Sequence, residues 1–153
     1  MRRLEREITD RRVIDRILNE ALVCRIGLCD GETPYVVPMN FGYDGKSLFF
    51  HSAPIGRKIE IISRNDRVCF EVDTDHQMVR AAAPCGWGMK YRSVIGSGRA
   101  RLLPDGDEKM EALSCIMRKY GAEGELRFEE KSVRAVAVIR VDIEEIRGKQ
   151  AGQ

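Results

Sequence analysis

The sequence predicts a mainly β protein of the α+β class, in which six antiparallel strands form a small barrel with peripheral helices. Several short segments carry apolar residues at every second position, and turn-forming pairs such as Asp44-Gly45 join neighbouring segments. The 153 residues are 43% apolar and 33% charged, which is typical of one globular domain. No repeat, linker or low-complexity segment divides the chain, so residues 1–153 are expected to form a single domain.

The chain begins with a predicted helix and strand. Thr9 or Asp10 can cap a helix that ends near Ala21, because apolar residues then recur at helical spacing. From Leu22 the spacing changes to two, which predicts a strand. Its inward residues are expected to be Leu22, Cys24, Ile26 and Leu28.

Two further strands are predicted before residue 53. Turn residues at 30–34 predict a returning strand over residues 35–42. The Asp44-Gly45 pair readily supplies the positive φ angles of a tight hairpin turn. It therefore predicts a hairpin into a third strand, Ser47–Ser52.

Pro54 and Gly56 open a second predicted helix, whose inner face is Ile55, Ile59 and Ile62. Residues 67–73 follow as a fourth strand. Residues 75–89 lack any clean period and are expected to form a loop.

The last third of the chain predicts a strand, a helix and a strand. The fifth strand covers residues 90–103, and the last covers 132–146. Between them, residues 105–120 have helical spacing. The inward residues of this helix are expected to be Met110, Leu113, Ile116 and Met117.

Composition excludes several classes of protein. The 26 basic and 24 acidic residues nearly cancel, whereas a nucleic-acid-binding protein usually has a strong basic excess. No apolar stretch approaches the ~20 residues of a membrane span, and no signal peptide is evident, so a cytoplasmic protein is expected. The five cysteines form no C-x-x-C pair, and no metal site is predicted. Cys24 and Cys69 are expected to be buried in strands, and Cys85 to be exposed in a loop.

The segment 49–58 carries the first functional indication. A strand ends at His51-Ser52, and a helix then begins with two cations, Arg57 and Lys58. Positive charge in a first helical turn opposes the helix dipole, unless an anion binds the free amides there. Alternatively, the two cations simply point into water. His51, beside this turn, is expected to position a ligand rather than transfer protons, whereas His76 reads as a surface residue.

A second indication lies in residues 35–42. Pro38 cannot donate to a ladder, so it marks a sheet edge or a bulge. Backbone groups left unpaired there could bond the polar edge of a flat heterocycle. An ordinary barrel corner explains the same pattern.

The third indication lies in residues 87–100. Trp87 and Tyr91 offer aromatic surface, and Arg92 and Ser93 offer donors suited to phosphate. Gly96 and Gly98 share one strand face and permit close approach by another element. The segment lacks the third glycine and the following helix of a dinucleotide fingerprint, which excludes a built-in nicotinamide-binding domain.

Together these segments resemble the FMN-binding split-barrel superfamily of pyridoxamine-phosphate-oxidase-like proteins, and most closely its nitroimidazole-resistance (Nim) branch. The resemblance runs from about residue 9 to residue 149. It rests on Tyr-Val-Val-Pro-Met-Asn-Phe-Gly-Tyr at 35–43, on Phe-His-Ser-Ala at 50–53 with Gly-Arg-Lys at 56–58, and on Tyr-Arg-Ser-Val-Ile-Gly at 91–96. It implies a six-stranded antiparallel split β-barrel that works as a homodimer, with FMN between the subunits.

The resemblance also implies roles for particular residues. Val37, Pro38, Met39 and Asn40 would line the flavin ring, largely through their backbone. His51 and Ser52 would meet the ring or the ribityl chain, and His51 matches a histidine implicated near small molecules bound by Nim-type proteins. Arg57 and Lys58 would hold the phosphate. Tyr91, Arg92 and Ser93 would complete the site, together with residues of the other subunit.

The chain departs from the vitamin B6 oxidases at its end. Those enzymes carry an Arg- and Trp-rich C-terminal segment that grips the substrate phosphate, whereas residues 146–153 contain no aromatic residue. The expected function is therefore an FMN-dependent oxidoreductase acting on a small molecule, of the 5-nitroimidazole nitroreductase type. The alternative is a non-catalytic flavin- or haem-binding module of the same fold, with His51 as a haem ligand.

Overall fold

The structure, a computed structural model, describes residues 4–152. It confirms the predicted fold class, with eight strands in one antiparallel sheet rather than six. The two additional strands are residue pairs too short to show a period in sequence. The strands are β1 (Glu7–Ile8), β2 (Cys24–Asp30), β3 (Thr33–Met39), β4 (Gly42–Tyr43), β5 (Ser47–Ser52), β6 (Arg67–Val79), β7 (Gly88–Leu102) and β8 (Ala137–Ala151).

The order across the sheet is β3-β2-β6-β7-β8-β5-β4, and β1 pairs with the far end of β8. Strand β3 therefore lies at one edge of the split sheet, as Pro38 predicts. The Asp44-Gly45 hairpin is also confirmed: Gly45 has a φ of 96°, and the Asp44 side chain accepts hydrogen bonds from the amides of Lys46 and Ser47.

Four helices accompany the sheet: α1 (Arg11–Glu20), α2 (Arg57–Arg64), α3 (Asp107–Lys119) and the short α4 (Glu130–Arg134). The carboxylate of Asp10 caps α1 by accepting the Arg12 amide at 2.9 Å, which confirms the predicted helix start. Within residues 4–152, no helix is both long and apolar enough to cross a bilayer.

Two apolar clusters hold the fold together. The larger one fills the barrel with buried side chains from α1, α2 and seven strands, including Ile17, Phe50 and Val94. The smaller one lies between α3 and the outer face of the sheet, where Ile116 packs with Phe49 and Val138. Helix α3 thus covers β5 and β8 from outside.

The structure corrects several helix and strand assignments. Ile55 precedes α2 and is exposed, so the inner face of α2 comes from Ile59, Ile61 and Ile62. Helix α3 turns Ala112 and Ile116 towards the sheet. In this orientation Met110 and Met117 are exposed and Leu113 is half-buried. Leu22 is exposed because β2 begins only at Cys24, and Cys69 is exposed on the outer face of β6.

Two predicted segment boundaries are also wrong. Residues 75–79 are not a loop but the continuation of β6, which pairs with β7 across an irregularity between Thr74 and Gln77. The last strand starts at residue 137 rather than 132, because α4 occupies the preceding residues, and it continues to residue 151.

Gly96 and Gly98 do permit the close approach that their sequence positions predict. A Cβ at Gly98 would lie 2.1 Å from the carbonyl oxygen of Asp142, and one at Gly96 would lie 2.3 Å from the Phe70 ring. The pairing of β7 with β8 is irregular between Ser97 and Gly98, where glycine leaves room for the neighbouring backbone.

Candidate functional site

The start of α2 is an open helix N-terminus bearing two cations. Its N-cap residue, Gly56, has a φ of 127°, and no side chain caps the helix. A Cβ at Gly56 would meet nothing within 4 Å, so the space in front of the first turn is open. Arg57 is exposed and Lys58 half-buried there. An uncapped first helical turn that carries two adjacent cations suits an anion.

Arg57 is held at the rim of this region by its neighbours. Its Nε lies 3.4 Å from Oδ2 of Asp30, and its guanidinium lies 4.7 Å from the centre of the Tyr35 ring. Arg64, one helix length away, also pairs with Asp30 at 3.0 Å. Asp30 and Tyr35 were missed as site residues, because their sequence context shows only turn and strand chemistry.

His51 and Ser52 lie at the end of β5, just before the segment that leads into α2. They pair with Val138 and Ala137 of β8. The His51 side chain is exposed and shares a sheet face with Phe49, and the Ser52 hydroxyl donates to the carbonyl of Ala53 at 2.9 Å. His51, Ser52, Arg57 and Lys58, hereafter the helix-end group, thus border one end of the barrel.

Tyr91, Arg92 and Ser93, hereafter the β7 group, lie elsewhere. They pair with residues 149–151 at the far end of β8. Lys149 Nζ lies 5.9 Å from the centre of the Tyr91 ring. An ion pair of 3.3 Å joins Arg92 to Asp75. Thr74 of β6 pairs with Arg92. Its buried hydroxyl oxygen has no hydrogen-bond partner among the described residues.

Residues 37–40 form the end of the edge strand β3 and the residue after it. The side chains of Val37 and Met39 pack against the barrel core, whereas those of Pro38 and Asn40 are exposed. Because Pro38 cannot donate to β2, ladder alternation directs its backbone, and that of Asn40, towards the open edge. The accessible polar groups here are therefore backbone groups.

The helix-end group and the β7 group are far apart within one chain. Measured along β8, their partners run from Val138 to Lys149, 11 residues or roughly 36 Å of strand. A mononucleotide is shorter than this path. One subunit therefore brings His51 close to the start of α2, but it does not bring the β7 group to the same place.

A second charged cluster lies on the outer face of β6. Arg25 donates to Glu71 at 3.1 Å and to Asp73 at 2.9 Å, while His76 pairs with Asp73 at 3.2 Å. Burial and the nearby Asp73 carboxylate raise the pKa of Glu71. His76 is half-exposed, in agreement with its surface assignment. Within residues 4–152, no cluster of three His, Cys, Asp or Glu side chains could hold a metal ion.

Comparisons with known proteins agree with this architecture. The family model of pyridoxamine 5'-phosphate oxidase matches residues 10–150. A 101-residue match to an uncharacterized protein of Rhizobium meliloti (strain 1021), at 26% identity, covers 63% of this chain and 60% of that protein. The chain therefore matches less than two thirds of the length of this relative.

Solved structures extend the likeness. A candidate 5-nitroimidazole antibiotic resistance protein from Bacteroides thetaiotaomicron VPI-5482 is 36% identical, with a TM-score of 0.83, over 94% of this chain and 86% of that one. A flavocytochrome from Azotobacter vinelandii is 25% identical, with a TM-score of 0.82, over 96% and 70%. A FAD-binding protein from Mesorhizobium loti is 26% identical, with a TM-score of 0.72, over 96% and 98%. The resemblance seen in the sequence, including that to the nitroimidazole-resistance branch, is confirmed. The chain belongs to the pyridoxamine 5'-phosphate oxidase family and has its flavin-binding split-barrel fold.

Proposed function

We propose that this protein binds FMN between the two subunits of a homodimer and uses it to reduce small nitroaromatic molecules of the 5-nitroimidazole class. The observation that carries the proposal is the start of α2, which has no side-chain cap and begins with two adjacent cations after the unobstructed Gly56. The 36% identity to a candidate 5-nitroimidazole resistance protein supports the substrate class.

The residues at α2 fit the phosphate of a flavin mononucleotide. The amides of the first turn would donate to phosphate oxygens, and Arg57 and Lys58 would add charge-assisted hydrogen bonds. Asp30 is the competing anion, since it already pairs with Arg57. The pair is exposed, so exchanging Asp30 for a dianionic phosphate is favourable.

The separation of the two groups supports a homodimer. The helix-end group and the β7 group lie about 11 residues apart along β8, too far for one mononucleotide to contact both in one chain. A two-fold dimer would set the β7 group of each subunit beside the helix-end group of the other, and so create two equivalent sites.

When bound, the flavin would supply the electron transfer, and the chain would supply position and electrostatics. The outward backbone groups of Pro38 and Asn40 would orient the polar edge of the ring. Ser93 would donate to the nucleotide from the partner subunit. The exposed imidazole of His51 would touch and orient the small-molecule substrate, whose nitro group accepts hydrogen bonds.

The test begins with the visible spectrum of the purified protein and with mass identification of the ligand released by heat. FMN is expected, at one per subunit in a dimer by light scattering. The flavin is then reduced with dithionite under anaerobic conditions, and a 5-nitroimidazole is added. Rapid return of the oxidised flavin spectrum is expected. A protein that binds no flavin on titration, or whose reduced flavin is not reoxidised by nitro compounds, contradicts the proposal.

A second candidate is a binding module that holds haem without turnover. It is favoured by the exposed His51 at a strand end and by the 25% identity to a flavocytochrome. A Soret band that survives desalting and disappears in His51→Ala would support it. Loss of flavin binding in the same variant, without any Soret band, would favour the first proposal.

A further inference from the structure

The ends of β6 and β7 project beyond the rest of the sheet. Here Gln77 pairs with Lys90 and Met78 with Met89, whereas β8 pairs with β7 only as far as Tyr91. The pairing of β2 with β6 stops at Glu71. Residues 77–90, hereafter the arm, therefore form a two-stranded hairpin that pairs with no other strand within residues 4–152, and an isolated hairpin is marginal in water.

The arm exposes more apolar surface than a free hairpin tolerates. The side chains of Met78 and Trp87 are each 52% exposed, and that of Met89 is 42% exposed. The Trp87 ring is nevertheless held in place, because its Nε1 donates to the carbonyl of Ala81 at 2.8 Å and the Arg80 guanidinium lies 5.9 Å from its centre. Fixed, exposed aromatic and thioether groups are typical of a contact surface.

A second exposed apolar residue lies at the opposite end of the barrel. Ile55, in the segment between β5 and α2, is 81% exposed. It borders a cavity of about 390 Å³ that Ile59 and Glu60 also line. Arg80 on the arm carries a charge opposite to that of Glu60, while Arg64 also lines this cavity.

Each of these apolar surfaces adjoins one half of the proposed flavin site. The arm continues directly from the β7 group, and Ile55 lies inside the helix-end group, between His51 and Arg57. We propose that in the dimer the arm of each subunit packs on the partner subunit's Ile55 and closes the flavin site, with Trp87 as the aromatic wall against which a planar substrate stacks. The occupant of the apolar surface is thus a second copy of this chain. This inference rests on the proposed function, since it requires the two groups to meet across a dimer.

The closed arm has two chemical consequences. It would exclude water from the substrate side of the site, which strengthens the electrostatic interactions there. It would also select flat heteroaromatic molecules, because the Trp87 ring offers a planar surface of fixed orientation.

Cross-linking tests the contact directly. Cys85 is exposed at the tip of the arm, so Ile55→Cys creates a second thiol at the proposed contact. A short bismaleimide should convert this variant into a covalent dimer of twice 17.4 kDa on denaturing gels. The matched control is Ile55→Cys combined with Cys85→Ser, which keeps the exposed Cys29 and Cys69 and should remain monomeric on the gel.

Tryptophan fluorescence gives an independent readout, because Trp87 is the only tryptophan of the chain. Ile55→Asp should red-shift its emission and increase its quenching by acrylamide, since the arm is released into solvent. The control Met117→Asp alters another exposed apolar residue, on α3, and should leave both quantities unchanged.

Failure of this inference is distinguishable from failure of the proposed function. If the protein is dimeric and binds FMN, but cross-linking does not depend on Cys85 and Ile55→Asp leaves the Trp87 emission unaltered, the arm contact is wrong and the flavin site stands. A monomeric protein, or one without FMN binding, overturns both.

Discussion

Replacing Arg57 by alanine should affect folding and FMN binding to different extents. In the free protein Arg57 contacts Asp30, whereas in the complex it is proposed to contact the phosphate. In the free chain Arg57 pairs with Asp30 at 3.4 Å, and the two side chains are 52% and 30% exposed. An exposed pair of this kind contributes about 0–1 kcal/mol to folding, so the melting temperature of Arg57→Ala should barely change. A charge-assisted hydrogen bond to phosphate contributes about 1.5–3 kcal/mol. The dissociation constant for FMN should therefore rise roughly 10- to 150-fold.

Titration of flavin-free protein with FMN, followed by flavin fluorescence or calorimetry, measures this change. Arg127→Ala is the matched control, because Arg127 also forms an exposed ion pair, with Glu125, but lies in the segment between α3 and α4. Its dissociation constant should be that of the parent protein. Asp30→Ala removes the competing carboxylate and should strengthen binding by up to ~1 kcal/mol. Unchanged affinity in Arg57→Ala, or an equal loss in Arg127→Ala, would refute the phosphate assignment.

Three further predictions concern other parts of the chain. Ser93→Ala should weaken FMN binding by only about 1 kcal/mol in the same titration, and a loss larger than that of Arg57→Ala would reverse the ranking of the two contacts. Gly98→Ala places a Cβ 2.1 Å from the Asp142 carbonyl oxygen and should lower the free energy of unfolding by about 1–3 kcal/mol in urea; an unchanged midpoint would contradict the close approach. Burial raises the pKa of the Cys24 thiol to about 12, so it remains the unreactive thiol form below that pH. Between about pH 8 and 10, mass spectrometry should find maleimide on Cys85 but not on Cys24 until the protein unfolds.

Sequence patterns predicted those elements that have one buried and one exposed face. Alternation in β2 correctly placed Cys24, Ile26 and Leu28 inward, because each packs into the barrel. The same alternation is missing from residues 75–79, because both faces of β6 are exposed to solvent there and the fold requires no apolar face. On α3, the inward positions predicted for Ile116 and Leu113 are correct. Those predicted for Met110 and Met117 are wrong, because methionine is tolerated at half-exposed positions, whereas small Ala112 allows the helix to approach the sheet.

Individual site residues could be predicted from the sequence, but their arrangement in space could not. The Gly-Arg-Lys sequence at 56–58 correctly marked the start of a helix without a side-chain cap. The contact between Arg57 and Asp30 could not be foreseen, because it joins residues 27 positions apart and depends on how α2 lies against the β2–β3 hairpin. The separation of His51 from Tyr91 likewise depends on β8, which was predicted with the correct length but five residues too early in the chain.

The two prolines of β3 also bear on solubility. Pro34 and Pro38 pair with Cys29 and Arg25 of β2, and ladder alternation turns the backbone of these two residues, and of Val36 between them, outward. Of these three residues only Val36 has a backbone N–H. The free edge of β3 therefore lacks the row of N–H donors that a strand of another molecule would need for pairing. The edge strand is thereby a poor template for a strand of another molecule, although it carries a valine that is 63% exposed.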